Sequence, residues 1–186
     1  MTFDECLNDM LEDIRVELAE EFDRNFERGS FFDGKKWPKS TRPGAKTPLI
    51  DSGALRRSIR GTVRRNSVSF SSSLPYASIH NEGGTLTVTT RMKKYFWAKH
   101  MQAEGGISTT KTGKPSRSKK NLRLSAMAQF YKAMALKKAG SKIHIPQRQF
   151  LGHHESLEAP TKAIIGRNLD EFVRQNLPEG KAKLRK

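Results

Sequence analysis

The chain has 186 residues, long enough for one domain with a buried core, and it is 35% hydrophobic and 29% charged with a formal net charge of +16. Asp4, Glu5 and Asp9 stand where a secretory leader would carry lysines and an apolar run, and no stretch approaches the roughly 20 apolar residues of a membrane span. One cysteine, Cys6, excludes an internal disulfide and a cysteine-built zinc cage, so the composition predicts a soluble protein of a reducing compartment.

Charge is spread unevenly. Residues 1–30 hold ten carboxylates against Arg15, Arg24 and Arg28, a net of −7, which leaves +23 for residues 31–186. Such asymmetry predicts an acidic helix beside a basic body, with pairing inside the protein or between copies. From Thr2 to Arg28, Phe3, Leu7, Met10, Leu11, Ile14, Leu18, Phe22 and Phe26 recur at spacings of three and four, the signature of an amphipathic helix. Thr2 and Glu5 form a capping box at its start and Gly29 provides its stop. Ser30 to Pro48 reads as an irregular basic loop, anchored by Phe32 and Trp37.

Asp51 or Ser52 is placed to cap a short helical turn through Leu55. Two strands follow, turning near Arg65-Asn66, with Ile59, Val63, Val68 and Phe70 facing the core and Gly61 allowing a bulge. Leu74 to Gly84 reads as a helical turn closed by two glycines, and Thr85 to Arg91 as a third strand with Leu86 and Val88 alternating against threonines. Met92 to Glu104 reads as a short helix. Gly105 to Asn121 has no hydrophobic periodicity and no carboxylate, and it is expected to be mobile. Leu124, Met127, Tyr131 and Met134 mark another helix stopped by Gly140, Ile143 and Ile145 share one face of a fourth strand, and Leu157, Ile164, Ile165, Leu169, Phe172 and Val173 mark a C-terminal helix. This order predicts an α+β fold, with long N-terminal and C-terminal helices packed on a small, mostly antiparallel sheet. Residues 1–177 are expected to form a single domain with a flexible, helical, basic insertion at about 92–140, and residues 178–186 a disordered basic tail.

Catalytic and cofactor chemistry find little support. Gly113-Lys114 is no P-loop, because Ser108 stands where the first glycine is needed and Pro115 where the magnesium-binding hydroxyl is needed. His80, His100, His144, His153 and His154 include no pair three or four residues apart, as one helical face of metal ligands would require. Carboxylates outside the first helix are too few to form an evident acid–base pair, and no serine sits in a nucleophile elbow. The expectation is a non-enzyme with no metal and no cofactor. Lys111, Lys114, Arg117, Lys119 and Lys120, together with Lys181–Lys186, could contact phosphates, or could be a solvated loop and tail.

Three motifs occur in order. Leu49, Asp51, Ser52, Gly53, Leu55, Ser58 and Ile59 form "LIDSGALRRSI"; Tyr76, Ala77, His80 and Gly83 form "YASIHNEG"; Ile145, Pro146, Arg148, Phe150, Leu151 and Gly152 form "IPQRQFLG". In these motifs the chain resembles the phage virion morphogenesis family, the Mu-type tail-completion and head–tail joining proteins. The resemblance implies a non-catalytic virion component of the neck or tail end, assembled in the host bacterial cytoplasm. It also implies partnership with itself as a homo-oligomeric ring and with head connector or tail tube proteins, and no membrane. Within the third motif, Pro146 ends the strand, Phe150 and Leu151 pin a corner, Gly152 frees the turn, and Arg148 is expected to reach outward or to a carboxylate. The alternative is a basic nucleic-acid-binding accessory protein.

Overall fold

The N-terminal helix forms where its periodicity places it. In α1 (Phe3–Arg28) the Thr2 hydroxyl accepts from the Glu5 N–H at 3.2 Å while the Glu5 carboxylate accepts from the Thr2 N–H at 2.7 Å. Two backbone donors at the helix start are thereby satisfied reciprocally, and Gly29, at φ 64°, closes the other end. The computed structural model describes residues 1–45 and 47–177, so the tail expected at 178–186 lies outside the described residues.

After α1 come α2 (Ala54–Ser58), β1 (Ile59–Arg64), β2 (Ser67–Ser72), α3 (Ala77–Glu82), β3 (Gly84–Thr87), α4 (Thr90–Gly105), α5 (Lys119–Leu136) and β4 (Lys142–Ile145). A single 3-10 turn, Glu155–Leu157, leads into α6 (Glu158–Asn176). The fold is α+β. Its strands, however, form two separate antiparallel ladders, β1 with β2 and β3 with β4, rather than one sheet. The chain divides into two units, and each holds one ladder. The first comprises Met1–Lys36, Gly53–Ala77 and the described residues from Gln149 onward; the second comprises Trp37–Ser52 and Ser78–Arg148.

In the first unit, Cys6, Met10 and Ile14 of α1 are buried with Ile164 of α6, and Leu18, Val68, Ile165 and Phe172 pack around them. A second apolar group is aromatic: Phe26 stands 5.2 Å from Phe150, and Phe22 lies edge-on to Phe70 at 5.0 Å. The hairpin turns at Arg65-Asn66, with Val63 opposite Val68 and Gly61 opposite Phe70. Ile59, Val63, Val68 and Phe70 are half-buried and their neighbours exposed, as the alternation predicts. Gly61 makes no bulge. The register is regular, and a Cβ there would stand 2.7 Å from the Phe70 ring and 2.8 Å from Arg15 Cγ, so this glycine serves a close approach.

The expected cap at Asp51 or Ser52 is also replaced. Gly53 is the N-cap of α2 at φ 75°, with no side-chain hydrogen bond to the helix. Asp51 is drawn elsewhere, onto Arg42 at 2.8 Å, and an ion pair of this kind competes directly with a capping bond.

In the second unit, α4 and α5 pack together over small residues, with Ala103, Ala128 and Ala135 buried. Phe96 stacks on Tyr131 at 6.4 Å, and buried His100 donates from Nδ1 to the Ala128 carbonyl at 3.1 Å. The third strand is shorter than the sequence suggests. Thr89 leaves it to cap α4, its hydroxyl accepting from the Met92 N–H at 3.2 Å, so local capping overrides the β-propensity of the threonine run. Val88 is buried and Leu86 exposed, because Val88 lies just past β3, where its N–H bonds the Ser141 carbonyl and its carbonyl accepts from Gly140.

Candidate functional site

The three motifs share one property. Each lies where the chain passes from one unit to the other, at Ser52/Gly53, Ala77/Ser78 and Arg148/Gln149. Part of each motif is therefore built into either unit.

In the first motif, Leu49 takes the left-handed conformation at φ 64° after Pro48, in a tight turn that pairs Thr47 with Ile50. A leucine there costs about 1–2 kcal/mol relative to an unstrained position. The turn leads to Asp51, whose carboxylate is held below its ordinary range by the hydrogen bond from Arg42 and by the nearby charge of Arg123. In the first unit, Leu55 is buried, and the Ser58 hydroxyl donates to the Leu55 carbonyl at 2.7 Å while meeting the Ser72 hydroxyl at 2.6 Å. Arg56, beside them, forks onto Asp23 and reaches Glu27 at 2.7 Å. These carboxylates raise its already high pKa, so the charge of Arg56 is balanced by α1.

In the second motif Tyr76 is exposed, Ala77 buried and His80 half-buried. Within the second unit this motif meets the third: the His80 carbonyl accepts the Arg148 N–H at 2.8 Å, and Gln147 Nε2 donates to the Asn81 carbonyl at 3.2 Å. Gly83, at φ 72°, lies against the same segment, where an added Cβ would stand 2.8 Å from the Gln147 nitrogen. Burial, reinforced by the Arg148 charge, pushes the His80 pKa down.

Arg148 is the main departure from expectation. It turns inward and is buried, donating from Nε to the Pro38 carbonyl at 2.8 Å and from Nη2 to the Lys39 carbonyl at 3.2 Å. Burial lowers its pKa, and among the described residues it reaches no carboxylate. Backbone carbonyls of an irregular loop need donors, and a guanidinium supplies two on one rigid plane. Beyond it Phe150 is buried, with its carbonyl accepting from Asn25 Nδ2 at 3.4 Å, Leu151 is half-buried, and Gly152 turns at φ 150°. Pro146 follows β4 directly. His154 stacks on Phe32 at 5.3 Å and accepts from the Ser156 N–H through Nδ1 at 3.2 Å, which gives it a packing and capping role in the first unit, while His153 is exposed.

Lys111, Lys114, Arg117, Lys119 and Lys120 are all exposed, in a segment the sequence leaves without structure. The segment closes on itself: Thr109 pairs with Pro115, and the Thr110 N–H donates to the Lys114 carbonyl at 2.7 Å. Its organiser is Asn121, a residue the sequence reading passes over. Its one sequence signal is the Ser118 cap three residues earlier, whose hydroxyl accepts from the Asn121 N–H at 3.2 Å. Among the described residues no group of three or more His, Cys, Asp or Glu is placed to hold a metal ion, and no helix is long and apolar enough to cross a membrane.

These geometries assign the motif side chains to holding backbone. A family model described as the phage virion morphogenesis family matches residues 4–170. The chain belongs to the phage virion morphogenesis family. Searches of the curated proteins and of the solved structures found no match. Membership gives this phage virion morphogenesis protein a part in building the phage particle, and the matched span takes in all three motifs and the α4–α5 insertion.

Proposed function

We propose that this protein is a non-catalytic structural component of the virion neck, acting in tail completion or head–tail joining as a ring of identical subunits. Its partners in this reading are head connector and tail tube proteins, met after synthesis in the host cytoplasm. The observation that carries the structural reading is the use made of the motif residues. Asp51 is engaged by Arg42, Arg148 by two carbonyls, Phe150 by the core, and Gly53 and Gly83 by left-handed turns.

Support for self-association comes from α6. Ile164, Ile165 and Phe172 face α1, whereas Leu169, Val173 and Leu177 follow one another at intervals of four and are 39%, 48% and 64% exposed. An apolar stripe left in water on a surface helix favours contact with another protein surface. Closed rings of one subunit multiply such modest contacts through avidity. Disrupting the gene in its phage and imaging the lysate tests the reading. Filled heads and separate tails, restored to whole particles by the gene in trans, are expected; normal particle yield from the disrupted phage would defeat it.

A further inference from the structure

We propose that the loop between α4 and α5 is a preorganised finger that binds the phosphate backbone of duplex DNA. The first ground is charge. The second unit carries 18 lysines and arginines against Asp51, Glu82 and Glu104, a net of +15 out of the chain's +16. From Gly105 to His154 there is no carboxylate at all. Among the described residues the one lysine or arginine of this unit in an ion pair is Arg42, with Asp51, so none of Lys111, Lys114, Arg117, Lys119 or Lys120 is neutralised.

The second ground is order, which a merely solvated lysine loop would not need. The Asn121 side chain is 4% exposed and uses its whole hydrogen-bonding capacity on the loop. Its Oδ1 accepts from the Ser108 N–H and hydroxyl, both at 3.2 Å, and its Nδ2 donates to the Ser108 and Ser116 carbonyls, both at 2.7 Å. Above that clasp the Ser116 N–H bonds the Ser108 carbonyl at 3.0 Å. At the tip the Gly113 N–H bonds the Thr110 carbonyl at 2.9 Å, with Gly113 at φ 74°. Lys111 and Lys114 flank the tip and Arg117 follows at its base, so the cations are presented on a closed turn whose ordering precedes binding. The loop also carries Thr109, Thr112 and Ser116, and hydroxyls with lysine and arginine are the usual donors to phosphate oxygens. It bears no exposed asparagine or glutamine, the residues that pair with adenine edges, and its closed turn is shorter than the helix or two-stranded ribbon that enters a major groove, which favours backbone contact.

A polyanion fits this surface better than a second copy of the chain does. Among the α1 carboxylates, Glu12 is paired with Arg15, Glu20 and Glu21 with Arg24, and Asp23 and Glu27 with Arg56. The described residues of the first unit carry 15 carboxylates against 13 lysines and arginines, a net of −2, so even with Asp4, Asp9 and Glu17 unpaired another copy offers far less negative charge than the +15 of this surface.

Fluorescence anisotropy of the full chain on a short random-sequence duplex, titrated with salt, provides the test. Two triple variants of equal charge are compared: Lys111→Gln, Lys114→Gln, Arg117→Gln in the loop, and Lys132→Gln, Lys137→Gln, Lys138→Gln outside it, all six being exposed. Each phosphate contact contributes about 0.9 to the slope of log K against log salt, so the loop triple should lower it by about 2.7 and the other triple by less than about 1. Asn121→Ala keeps the charge and should still weaken binding about fivefold or more, if its melting curve remains cooperative. Equal losses from both triples would reduce the effect to diffuse attraction and overturn the finger, whether or not Asn121→Ala folds. Absence of salt-dependent DNA binding would overturn it too, as would an intact Asn121→Ala protein with unchanged affinity. Loss of low-salt self-association in the loop triple, without DNA binding in the parent, would transfer the surface to another protein chain.

Discussion

Arg148 shows how one residue can organise separate stretches of backbone. Its guanidinium serves the consecutive carbonyls of Pro38 and Lys39 while its own N–H serves His80, so two separate segments of the second unit are tied to it. Arg148→Ala should cost about 1.5–3 kcal/mol, the range for hydrogen bonds involving a charged group, and Arg148→Lys should recover only part. Thermal melting of the three proteins would check the order; equal stability of the alanine variant would contradict it. His80 carries a second consequence. Its pKa is depressed in the folded protein by burial and by the Arg148 charge, so the unfolded chain binds the proton more readily. The neutral ring's contribution is therefore complete above about pH 6.5 and is lost as pH falls through the depressed folded value. Melting temperatures should decline below about pH 6.5, and His80→Gln should flatten that decline in this window. The carboxylates of Glu5, Asp51 and Glu158 are held low by hydrogen bonds, so their contributions fade only at more acid pH, in a separate window.

Secondary elements divide into those set by neighbours in the chain and those set by distant packing. The ends of α1 belong to the first kind, since Thr2, Glu5 and Gly29 act within four residues. The hairpin belongs partly to the second. An alanine normally improves on glycine inside a strand by about 0.5–1 kcal/mol. At Gly61 the added methyl would meet the Phe70 ring, itself edge-on to Phe22, and the Arg15 stem. Overpacking costs about 1–3 kcal/mol, so Gly61→Ala should be destabilising in spite of propensity. A rise in the thermal midpoint of Gly61→Ala would show that the side chains move aside. The loop after α4 makes the same point in reverse: without periodicity it is nonetheless closed around Asn121, because one buried amide can replace an apolar core in ordering a short turn.

For the molecule as a whole, the cationic excess is concentrated in the second unit, whereas both units expose large apolar side chains, Leu169 and Val173 in the first and Trp97, Met101 and Leu122 in the second. The first is nearly neutral, with arginines pairing Glu12, Glu20, Glu21, Asp23 and Glu27 of α1, and it exposes the α6 stripe. Self-association through α6 should then be apolar and tolerant of salt. Leu169→Asp with Val173→Asp should leave the melting temperature nearly unchanged, since both residues are exposed, yet abolish oligomers in light scattering. Unchanged oligomers would remove α6 from the interface. Reversing Asp4, Asp9 and Glu17, which have no basic partner among the described residues, should weaken association in low salt only, if the acidic helix contributes.

The sequence by itself determined the helical stripes, the capping box, the Arg65-Asn66 hairpin with its inward-facing Ile59, Val63, Val68 and Phe70, the α+β class and the family. These rest on interactions between residues close in the chain or on a fixed periodicity, which composition cannot scramble. Only the tertiary structure decided that Arg148 turns to carbonyls of Pro38 and Lys39, that Asp51 answers Arg42 instead of capping a helix, and that four strands make two ladders. Every carbonyl offers Arg148 the same chemistry and every arginine the same charge to Asp51. The choice among them is made by which segments packing brings within about 3 Å, a distance that spacing along the chain does not encode.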